Sequence, residues 1–333
     1  MRVWLRRVRP DLTGPPALLL AAGLLALLAF GRYGADPYVL HVAAQGMLWG
    51  LGGAAWNVIG GYGGQVSFGH AAFFGLGAYT LALIEQGTPT ATFTSVLLAG
   101  GAAALVSLPF GLITFRLRGA YFVVGTFAVA EIFRSVALNW RSLTHGAVGV
   151  VVPPLFPHRG AYLQLLVWLT VIALGVLFAL TRSKFGLYLQ AVREDQEAAE
   201  ALGVPTTRVK AAALVVSAFF TGVAGALFAT YIGYIDPDSV FHLSVSSLVI
   251  LVAVVGGKLA LAGPLVGALL VIPAAEFLRQ RFAPGVQLLA YGLLLVIVPL
   301  LLPRGVLGTV RDRLARGGAP PRAKRAEVGH ATD

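Results

Sequence analysis

Long apolar segments separated by short polar connections are the dominant pattern along the chain. A helix needs about 20 residues to cross the hydrocarbon of a bilayer, and segments of about that length recur along the chain. The pattern therefore predicts an all-α, polytopic integral membrane protein with about ten transmembrane helices. The predicted spans are residues 16–31, 38–59, 67–86, 92–115, 119–138, 161–181, 209–233, 240–256, 261–278 and 286–302.

The composition agrees with a membrane protein. Hydrophobic residues make up 57% of the chain and charged residues 12%, with a mean hydropathy of +0.81, whereas soluble domains carry about 25% charged residues. The polar connections are too short to fold as soluble domains, so residues 16–302 are predicted to form one membrane domain. The chain has no cysteine, which excludes a disulfide framework and a thiolate metal site.

The distribution of positive charge predicts the orientation. Lys and Arg resist translocation and accumulate in cytoplasmic loops, and most of the 25 Lys and Arg residues lie inside if both termini are cytoplasmic. This predicts a basic cytoplasmic N-terminus at residues 1–15 and a basic, disordered cytoplasmic tail at residues 303–333. The net charge of +11 is assigned to contact with membrane lipids and not nucleic acid, because the cations are spread over loops facing one leaflet.

Residues 1–30 allow a second interpretation, a signal peptide with an Arg-rich start and an apolar core from Ala17 to Phe30. No small-x-small cleavage site follows cleanly. Retention of this segment as the first span is therefore the favoured prediction.

A glycine-rich segment, GGYGGQVSFG at residues 60–69, lies between two apolar segments. Such a density of glycine interrupts a helix, and irregular backbone at membrane depth is a pointer to a transport site. Ser67 is a candidate cap for the next helix. The alternative is an ordinary glycine turn at the membrane surface, with His70 as a packed or hydrogen-bonded residue. The predicted substrate-path residues here are Gln65, Ser67, Gly69 and His70.

Small residues at a spacing of four recur on three predicted helices. Such faces let helices approach closely in lipid. They predict packing, either within the chain or against another subunit. The three sets are Gly46, Gly50 and Ala54; Ala218, Gly222 and Ala226; and Gly263 and Gly267.

Glu131 and Arg134 are ionisable residues within a predicted span, where each is costly enough to need a reason. They lie three residues apart on one helix face and can neutralise each other. One interpretation places both in the substrate path or its gate. The other is a structural ion pair near the external end of the fifth span.

The segment REDQEAAEALG, from Arg193 to Gly203, predicts a short acidic amphipathic helix outside the bilayer. Gly203 and the following proline should end it. The helix is predicted to be a docking surface for a partner, and the alternative is a solvated loop helix. A mainly apolar face is formed by Leu189, Val192, Gln196, Ala199 and Leu202, and the polar residues Arg193, Glu194, Glu197 and Glu200 project elsewhere.

Several catalytic motifs are missing from the sequence. There is no G-x-x-x-x-G-K-[ST] phosphate loop, no HExxH and no GxSxG, so the chain does not bind ATP through a phosphate loop. The ionisable residues within the spans are too scattered for a catalytic set. The chain is therefore not predicted to be an enzyme, and no catalytic residue or metal ligand is assigned.

Three stretches resemble the permease subunits of branched-chain and hydrophobic amino-acid ABC importers, in particular their M type. They are GGYGGQVSFGHAAFFGLGAYTLAL at 60–83, TFAVAEIFRSVALNWRSLTHGAVG at 126–149, and AVREDQEAAEALGVPTTRVKAAALVVSAFFTGVAGALFA at 191–229. The resemblance covers most of residues 38–302. One departure is Leu143, Thr144, His145 and Gly146, where many members read LTGG.

The resemblance implies a multi-pass protein of a prokaryotic cell membrane and a set of partners. These are a homologous second permease, two cytoplasmic ATP-binding subunits and an extracytoplasmic substrate-binding protein. ATP would be bound by the partner subunits, and this chain would carry no cofactor. Residues 188–207, with Gly203 at the helix end, would be the cytoplasmic coupling helix that docks on an ATPase.

The sequence leaves alternatives open for both the substrate and the energy source of transport. Similar permeases carry leucine, isoleucine and valine, other amino acids, or urea and short amides. A stand-alone secondary transporter driven by protons or sodium is a rival class, and it would need a coupling carboxylate, for which Glu131 is the candidate. A membrane-embedded enzyme is disfavoured because no catalytic constellation is visible.

Overall fold

Helices account for most of the chain in the computed structural model, which describes residues 15–33, 36–86, 92–282, 284–302 and 305–309. Two two-residue strands, β1 (Val150–Val151) and β2 (Tyr234–Ile235), form the sheet within these residues. The helices are α1 (Pro15–Tyr33), α2 (Pro37–Asn57), α3 (His70–Glu85), α4 (Phe93–Thr114), α5 (Ala120–Asn139), α6 (Arg141–Thr144), α7 (Arg159–Arg182), α8 (Lys184–Glu194), α9 (Gln196–Ala201), α10 (Thr206–Ile232), α11 (Pro237–Phe241), α12 (Leu243–Gly256), α13 (Gly263–Arg281) and α14 (Pro284–Leu301).

The predicted helical class is confirmed, and each predicted span overlaps a helix. Within the described residues, 5 helical segments are long and apolar enough to cross a membrane by length and composition. They are Phe93–Thr114, Ala120–Asn139, Arg159–Arg182, Thr206–Ile232 and Pro237–Gly256. Helix α3 is shorter because the backbone before it is irregular. The count of about ten spans and the cytoplasmic placement of the termini stay predictions.

Successive long helices run in opposite directions, so their connections gather at two ends of the bundle. At one end, called the α8–α9 end, lie residues 115–119, 183–205 and 257–262. At the other, called the β-ribbon end, lie residues 140–158 and 233–242. Arg118 and Glu197 form an ion pair at the first end, and Tyr234 bonds the backbone of Val148 at the second.

Helix α10 is the centre of the bundle, and glycines let its neighbours approach its backbone. A Cβ on Gly225 would lie 1.9 Å from the carbonyl oxygen of Phe74 in α3, and one on Gly77 would lie 2.0 Å from that of Gly222. Helices α12 and α13 meet in the same way, because a Cβ on Gly256 would lie 1.7 Å from the carbonyl oxygen of Gly263. The small-residue faces therefore pack within the chain, which is one of the two alternatives that the sequence left open.

The β-ribbon end is built from the pair of short strands and tight turns. The strands are antiparallel, with Val150 opposite Ile235. His145, which stands where the resembling family often has glycine, has a φ of 60°, a conformation that favours glycine. Thr144 holds this turn by donating to the carbonyls of Ala137 and Trp140.

Parts of the predicted termini lie outside the described residues. These are residues 1–14 and 310–333, which include most of the predicted basic N-terminus and tail. Residues 305–309 of the predicted tail form a helical turn, and Gly305 packs on Gly257.

Candidate functional site

The glycine-rich segment interrupts the helical bundle, as the sequence predicted. Helix α2 continues into a π-helical turn at Val58–Tyr62, after which residues 64–67 have no regular secondary structure. Gly64 has a φ of 69°, and the N–H of Gln65 donates to the carbonyl of Ile59 at 2.9 Å. The chain then turns into α3, which begins at His70.

The interruption ends near the middle of the bundle. His70 Nε2 lies 2.8 Å from the hydroxyl of Ser217, a residue close to the midpoint of α10. At 1.5 Å per residue, Ser217 is about 16 Å along a helix about 40 Å long. Helix α3, which has 16 residues, is therefore shorter than α10 and starts near the middle of the bundle.

Side chains from three helices, α2, α5 and α12, satisfy the interrupted backbone. Trp56 Nε1 donates to the carbonyl of Ser67 at 2.9 Å, and the N–H of Phe68 donates to the hydroxyl of Thr126 at 3.1 Å. The hydroxyl of Ser246 accepts a hydrogen bond from the N–H of Ala71 at 2.8 Å and donates one to the carbonyl of Phe68 at 2.6 Å. We call this set the break layer, defined by Trp56, Ser67, His70, Thr126, Ser217 and Ser246.

The start of α3 differs from the expectation that Ser67 caps it. The N-cap residue is Gly69, which makes no side-chain capping bond, and Ser67 instead accepts the N–H of Gly69 at 3.1 Å. The N–H of Ala71, in the first turn of α3, donates a hydrogen bond to the hydroxyl of Ser246 in α12. The cap thus comes from a residue distant in sequence. Gly69 also makes room for the ring of Phe110, because a Cβ there would lie 2.3 Å from it.

The break layer is closed to solvent. Ser67, His70, Thr126, Ser217 and Ser246 have no accessible surface. The hydroxyl of Ser217 donates to the carbonyl of Ala55 at 2.6 Å, so it accepts from His70 and places a proton on Nε2. The hydroxyl groups of the layer are therefore hydrogen-bonded in this state, whereas His70 Nδ1 is buried without a hydrogen-bond partner among the described residues.

Gln65 lies apart from the other predicted path residues, at the α8–α9 end. It is half-buried and lines a cavity of about 260 Å³ together with the turn between α4 and α5 and the start of α9. The other lining residues are Leu117, Arg118, Gly119, Asp195, Gln196 and Glu197.

Glu131 and Arg134 form the ion pair that the sequence predicted, towards the β-ribbon end of α5. The guanidinium of Arg134 donates to Glu131 and also to Asp238 of α11. The pair therefore connects α5 to a second element. The structure places it away from Gln65 and from the break layer, so the six predicted path residues do not form one cluster.

The predicted single acidic helix is two helices, which corrects the sequence interpretation. Arg193 and Glu194 end α8, whereas Glu197 and Glu200 belong to α9. Asp195 separates them, because its extended backbone leaves its carboxylate free to accept the N–H groups of Glu197 and Ala198 as an N-cap.

The end of α9 and its apolar face are partly as predicted. Gly203 has a φ of 81° and donates to the carbonyl of Glu200, while Val204 donates to that of Ala199, which is a Schellman ending. Leu189, Val192 and Ala199 are buried. Leu202 is 84% exposed, because the helix ends before its position can turn towards the bundle.

Helix α8 packs directly on the interrupted segment. A Cβ on Gly64 would lie 2.5 Å from Cγ of Arg193, and one on Gly63 would lie 3.1 Å from Leu189. Arg193 also pairs with Glu194. The two groups of predicted site residues therefore meet, since the acidic element touches the backbone that leads to mid-depth.

Several polar residues that the sequence did not assign bond to residues that it did assign. Glu200 accepts hydrogen bonds from Thr206 and Gln196, and these bonds lower the pKa of its carboxyl. Among the described residues, no group of three His, Asp or Glu side chains could hold a metal ion. The unassigned residues that bind the site together are Thr126, Thr206, Lys210, Ser217, Asp238 and Ser246.

Apolar helices with an interruption at mid-depth define a class, the multi-pass membrane permeases. Comparison with known proteins narrows this class. The family described as the permease component of branched-chain amino acid transport systems matches residues 38–299. The chain belongs to this family of permeases and is of the M type.

Relatives of both permease types are similar to the chain. The high-affinity branched-chain amino acid transport system permease protein LivM of Salmonella typhimurium is 30% identical over 305 residues, 83% of this chain and 71% of the relative. LivM of Escherichia coli is 28% identical over 89% of this chain and 76% of its own length. LivH of Salmonella typhimurium is 26% identical over 74% of this chain and 86% of its own length. No solved structure matches.

Proposed function

We propose that this chain is the M-type permease subunit of an ATP-driven importer for branched-chain and hydrophobic amino acids. It pairs with a homologous second permease, since its relatives include both LivM and LivH proteins. Two cytoplasmic ATP-binding subunits bind ATP, and an extracytoplasmic substrate-binding protein delivers the substrate. The complex lies in the plasma membrane of a prokaryote, with both ends of this chain inside.

The contact between α8 and the interrupted segment carries this proposal. Helices α8 and α9 present exposed carboxylates at Glu194 and Glu197, and the backbone of Gly63 and Gly64 lies against α8. A force applied to the acidic element therefore reaches a segment that continues to mid-depth. This is the connection that coupling to an external ATPase requires.

The break layer is proposed as the part of the substrate path that this chain contributes. Its hydroxyl, imidazole and backbone groups bond one another when the layer is closed. Movement of α3 or α12 would free them for a polar substrate at mid-depth, where transporter sites form between interrupted helices. The proposed substrate rests on the names of the three relatives reported above, which are described as branched-chain amino acid permeases.

Reconstitution tests the energy source. Proteoliposomes containing this chain, the second permease, both ATP-binding subunits and the binding protein should accumulate labelled leucine when ATP is supplied. Vesicles containing this chain alone should accumulate none. Concentrative uptake by this chain alone under a proton or sodium gradient would overturn the proposal and favour the secondary transporter.

Single cysteines test the path, because the chain has no native cysteine. Cysteine at Gln65 should react with a small aqueous thiol reagent in every state, since Gln65 lines an open cavity. Cysteine at Ser67 should react only during ATP-driven cycling, since Ser67 has no accessible surface here. Absence of labelling at Ser67 in every nucleotide state would remove the break layer from the path.

Charge reversal tests the docking surface. The double variant Glu194→Lys and Glu197→Lys changes two exposed carboxylates and should reduce co-purification of the ATP-binding subunits. Arg141→Glu is the matched control, an exposed reversal at the β-ribbon end, and should leave assembly unchanged. Normal assembly of the double variant would mean that the α8–α9 end is not the docking surface.

A further inference from the structure

Four side chains join α9 to α10 through paired positions on both helices. Gln196 and Glu200 lie four residues apart on α9, and Thr206 and Lys210 lie four residues apart on α10. Lys210 Nζ donates to Gln196 Oε1 at 3.1 Å, Gln196 Nε2 donates to Glu200 Oε1 at 2.9 Å, and Thr206 donates to the same oxygen of Glu200. We call these four residues the clasp.

Lys210 differs from the other clasp residues because it is a cation with almost no exposed surface. Only 2% of the residue is accessible, and its ammonium lies 5.0 Å from the ring centroid of Phe115, in a cation–π contact. Phe115 belongs to the turn after α4 and stacks on Phe122 of α5 at 5.9 Å. The lysine thus connects α9, α10 and, through the phenylalanine rings, α5.

A buried cation at this position has a cost that an apolar side chain would avoid. Removing an ammonium from water is unfavourable unless its partners compensate, and a methionine of similar length would fill the same space. Only the ammonium donates to Gln196 and is attracted to the face of Phe115. The charge therefore serves to position α9 on the bundle.

We propose that the clasp carries movement of the acidic element into α10, with Lys210 as the positioning residue of this joint. This inference rests on the proposed function, because it concerns the coupling of ATP hydrolysis to transport. When an ATP-binding subunit moves α9, the clasp moves the start of α10 with it. Helix α10 carries Ser217, so the displacement reaches the break layer.

The test compares three variants of the reconstituted complex. Lys210→Met removes the charge and keeps the length, Lys210→Arg keeps the charge, and Arg141→Met removes an exposed cation at the β-ribbon end as a control. The measurements are co-purification of the ATP-binding subunits, ATPase rate, and leucine transported per ATP hydrolysed. The last ratio reports coupling and is insensitive to a simple loss of folded protein.

Lys210→Met should assemble and hydrolyse ATP but transport at least about fivefold less leucine per ATP, the lower end of common coupling effects. Lys210→Arg should retain at least about half of the wild-type ratio, and Arg141→Met all of it. Thr206→Val removes a different bond of the clasp and should lower the ratio in the same direction if Lys210→Met fails to fold. An unchanged ratio in Lys210→Met or in Thr206→Val overturns the proposal.

The wild-type complex separates failure of this inference from failure of the proposed function. Without ATP-driven uptake by the wild-type complex, the proposed function fails. With normal wild-type uptake and a normal ratio in the clasp variants, the importer stands and only the clasp is rejected. Equal losses in Lys210→Arg and Lys210→Met would also reject it, because the charge would then have no positioning role.

Discussion

Helices α5 and α10 are both apolar and both contact the break layer, but they are held very differently. Helix α10 is buried along most of its length and lies against the backbone of α3 at Gly222 and Gly225. Helix α5 is buried at a narrow set of positions, namely Phe122, Thr126, Ala130 and Ala137, and Tyr121 is 78% exposed.

The comparison separates a helix fixed to its neighbour from one attached at few points. Close backbone contacts fix α10 to α3, so α10 is displaced only together with α3. Helix α5 is attached by the stacking of Phe122 on Phe115, by the hydrogen bond between Thr126 and the break layer, and by the ion pair of Arg134 with Asp238. We infer that α5 is the element able to move relative to the core, with its exposed face against lipid or a second subunit.

The largest effect should follow from adding one carbon to the fixed helix. In Gly225→Ala the new Cβ would lie 1.9 Å from the carbonyl oxygen of Phe74. Because this obstacle is backbone, α3 and α10 must separate, and overpacking of this kind costs about 1–3 kcal/mol or more. We expect a large drop in the thermal unfolding midpoint of the purified transporter.

Gly125→Ala in α5 is the matched control. Its new Cβ would meet only the end of the Leu117 side chain, which can rotate away. Alanine is also favoured over glycine within a helix by about 0.5–1 kcal/mol. An unfolding midpoint that falls equally in both variants would contradict the distinction between the two helices.

The next effect concerns the points where both helices reach the break layer. Ser217→Ala deprives His70 and the carbonyl of Ala55 of their common partner, and Thr126→Val deprives the N–H of Phe68 of its acceptor. A buried polar group without a partner costs about 1–3 kcal/mol. We expect similar losses of unfolding free energy in both variants, because each leaves a buried polar group without its partner.

If Thr126→Val keeps the unfolding free energy of the wild type, the hydrogen bond between Thr126 and Phe68 does not hold α5 on the break layer. Serine at position 126 supplies the control, because it keeps the hydroxyl and removes only a methyl group. Thr126→Ser should therefore retain the wild-type unfolding midpoint more closely than Thr126→Val.

The helical architecture could be predicted from the sequence because its signals are local. Apolar runs mark the helices, and five glycines within residues 60–69 mark the interruption. The partners of the interrupted backbone could not be predicted, since Thr126, Ser217 and Ser246 are common residues far apart in sequence. Only the fold brings them to Phe68, His70 and Ala71.

The acidic element shows a second limit of sequence reasoning. A continuous helical pattern over Arg193–Gly203 concealed the break at Asp195, because aspartate is tolerated in a polar helix as well as at an N-cap. The burial of Lys210 could not be predicted from the sequence either. Its burial against Phe115 and Gln196 depends on how α9 folds back onto α10.

A smaller effect is expected from breaking the ion pair that attaches α5 to α11. Arg134→Gln removes the bonds to Glu131 and Asp238, but these carboxylates are partly exposed. Exposed pairs contribute about 0–1 kcal/mol, so the unfolding midpoint should change little. A double-mutant cycle of Arg134→Gln with Asp238→Asn should give a coupling energy within about 0.2–1 kcal/mol.

Transport rate provides the sharper measurement for this pair. If α5 is the moving element, Arg134→Gln should change the rate of leucine uptake more than it changes stability. Arg118→Gln, which breaks an exposed pair with Glu197 at the other end of the bundle, is the control for loss of an arginine. A coupling energy of several kcal/mol would make this attachment as rigid as the core and would contradict the mobility of α5.

The smallest effect concerns pH and the clasp that holds α9 on the fixed helix. Hydrogen bonds from Thr206 and Gln196 lower the pKa of Glu200 below its ordinary value of 4.5. Because the pKa of Glu200 is lower in the folded protein than in the unfolded chain, its contribution to stability is complete above the unfolded pKa. That contribution is lost as the pH falls through the folded pKa.

Glu200→Gln removes the ionisation, so its unfolding midpoint should lie slightly below that of the wild type at pH 7. The two midpoints should converge as the pH falls from about 5 to 3. In a Thr206→Val background the main bond that lowers this pKa is missing, so the pH dependence of the difference should shrink. A difference between wild type and Glu200→Gln that stays constant down to pH 3 would show that the carboxylate charge has no part in holding α9 on α10.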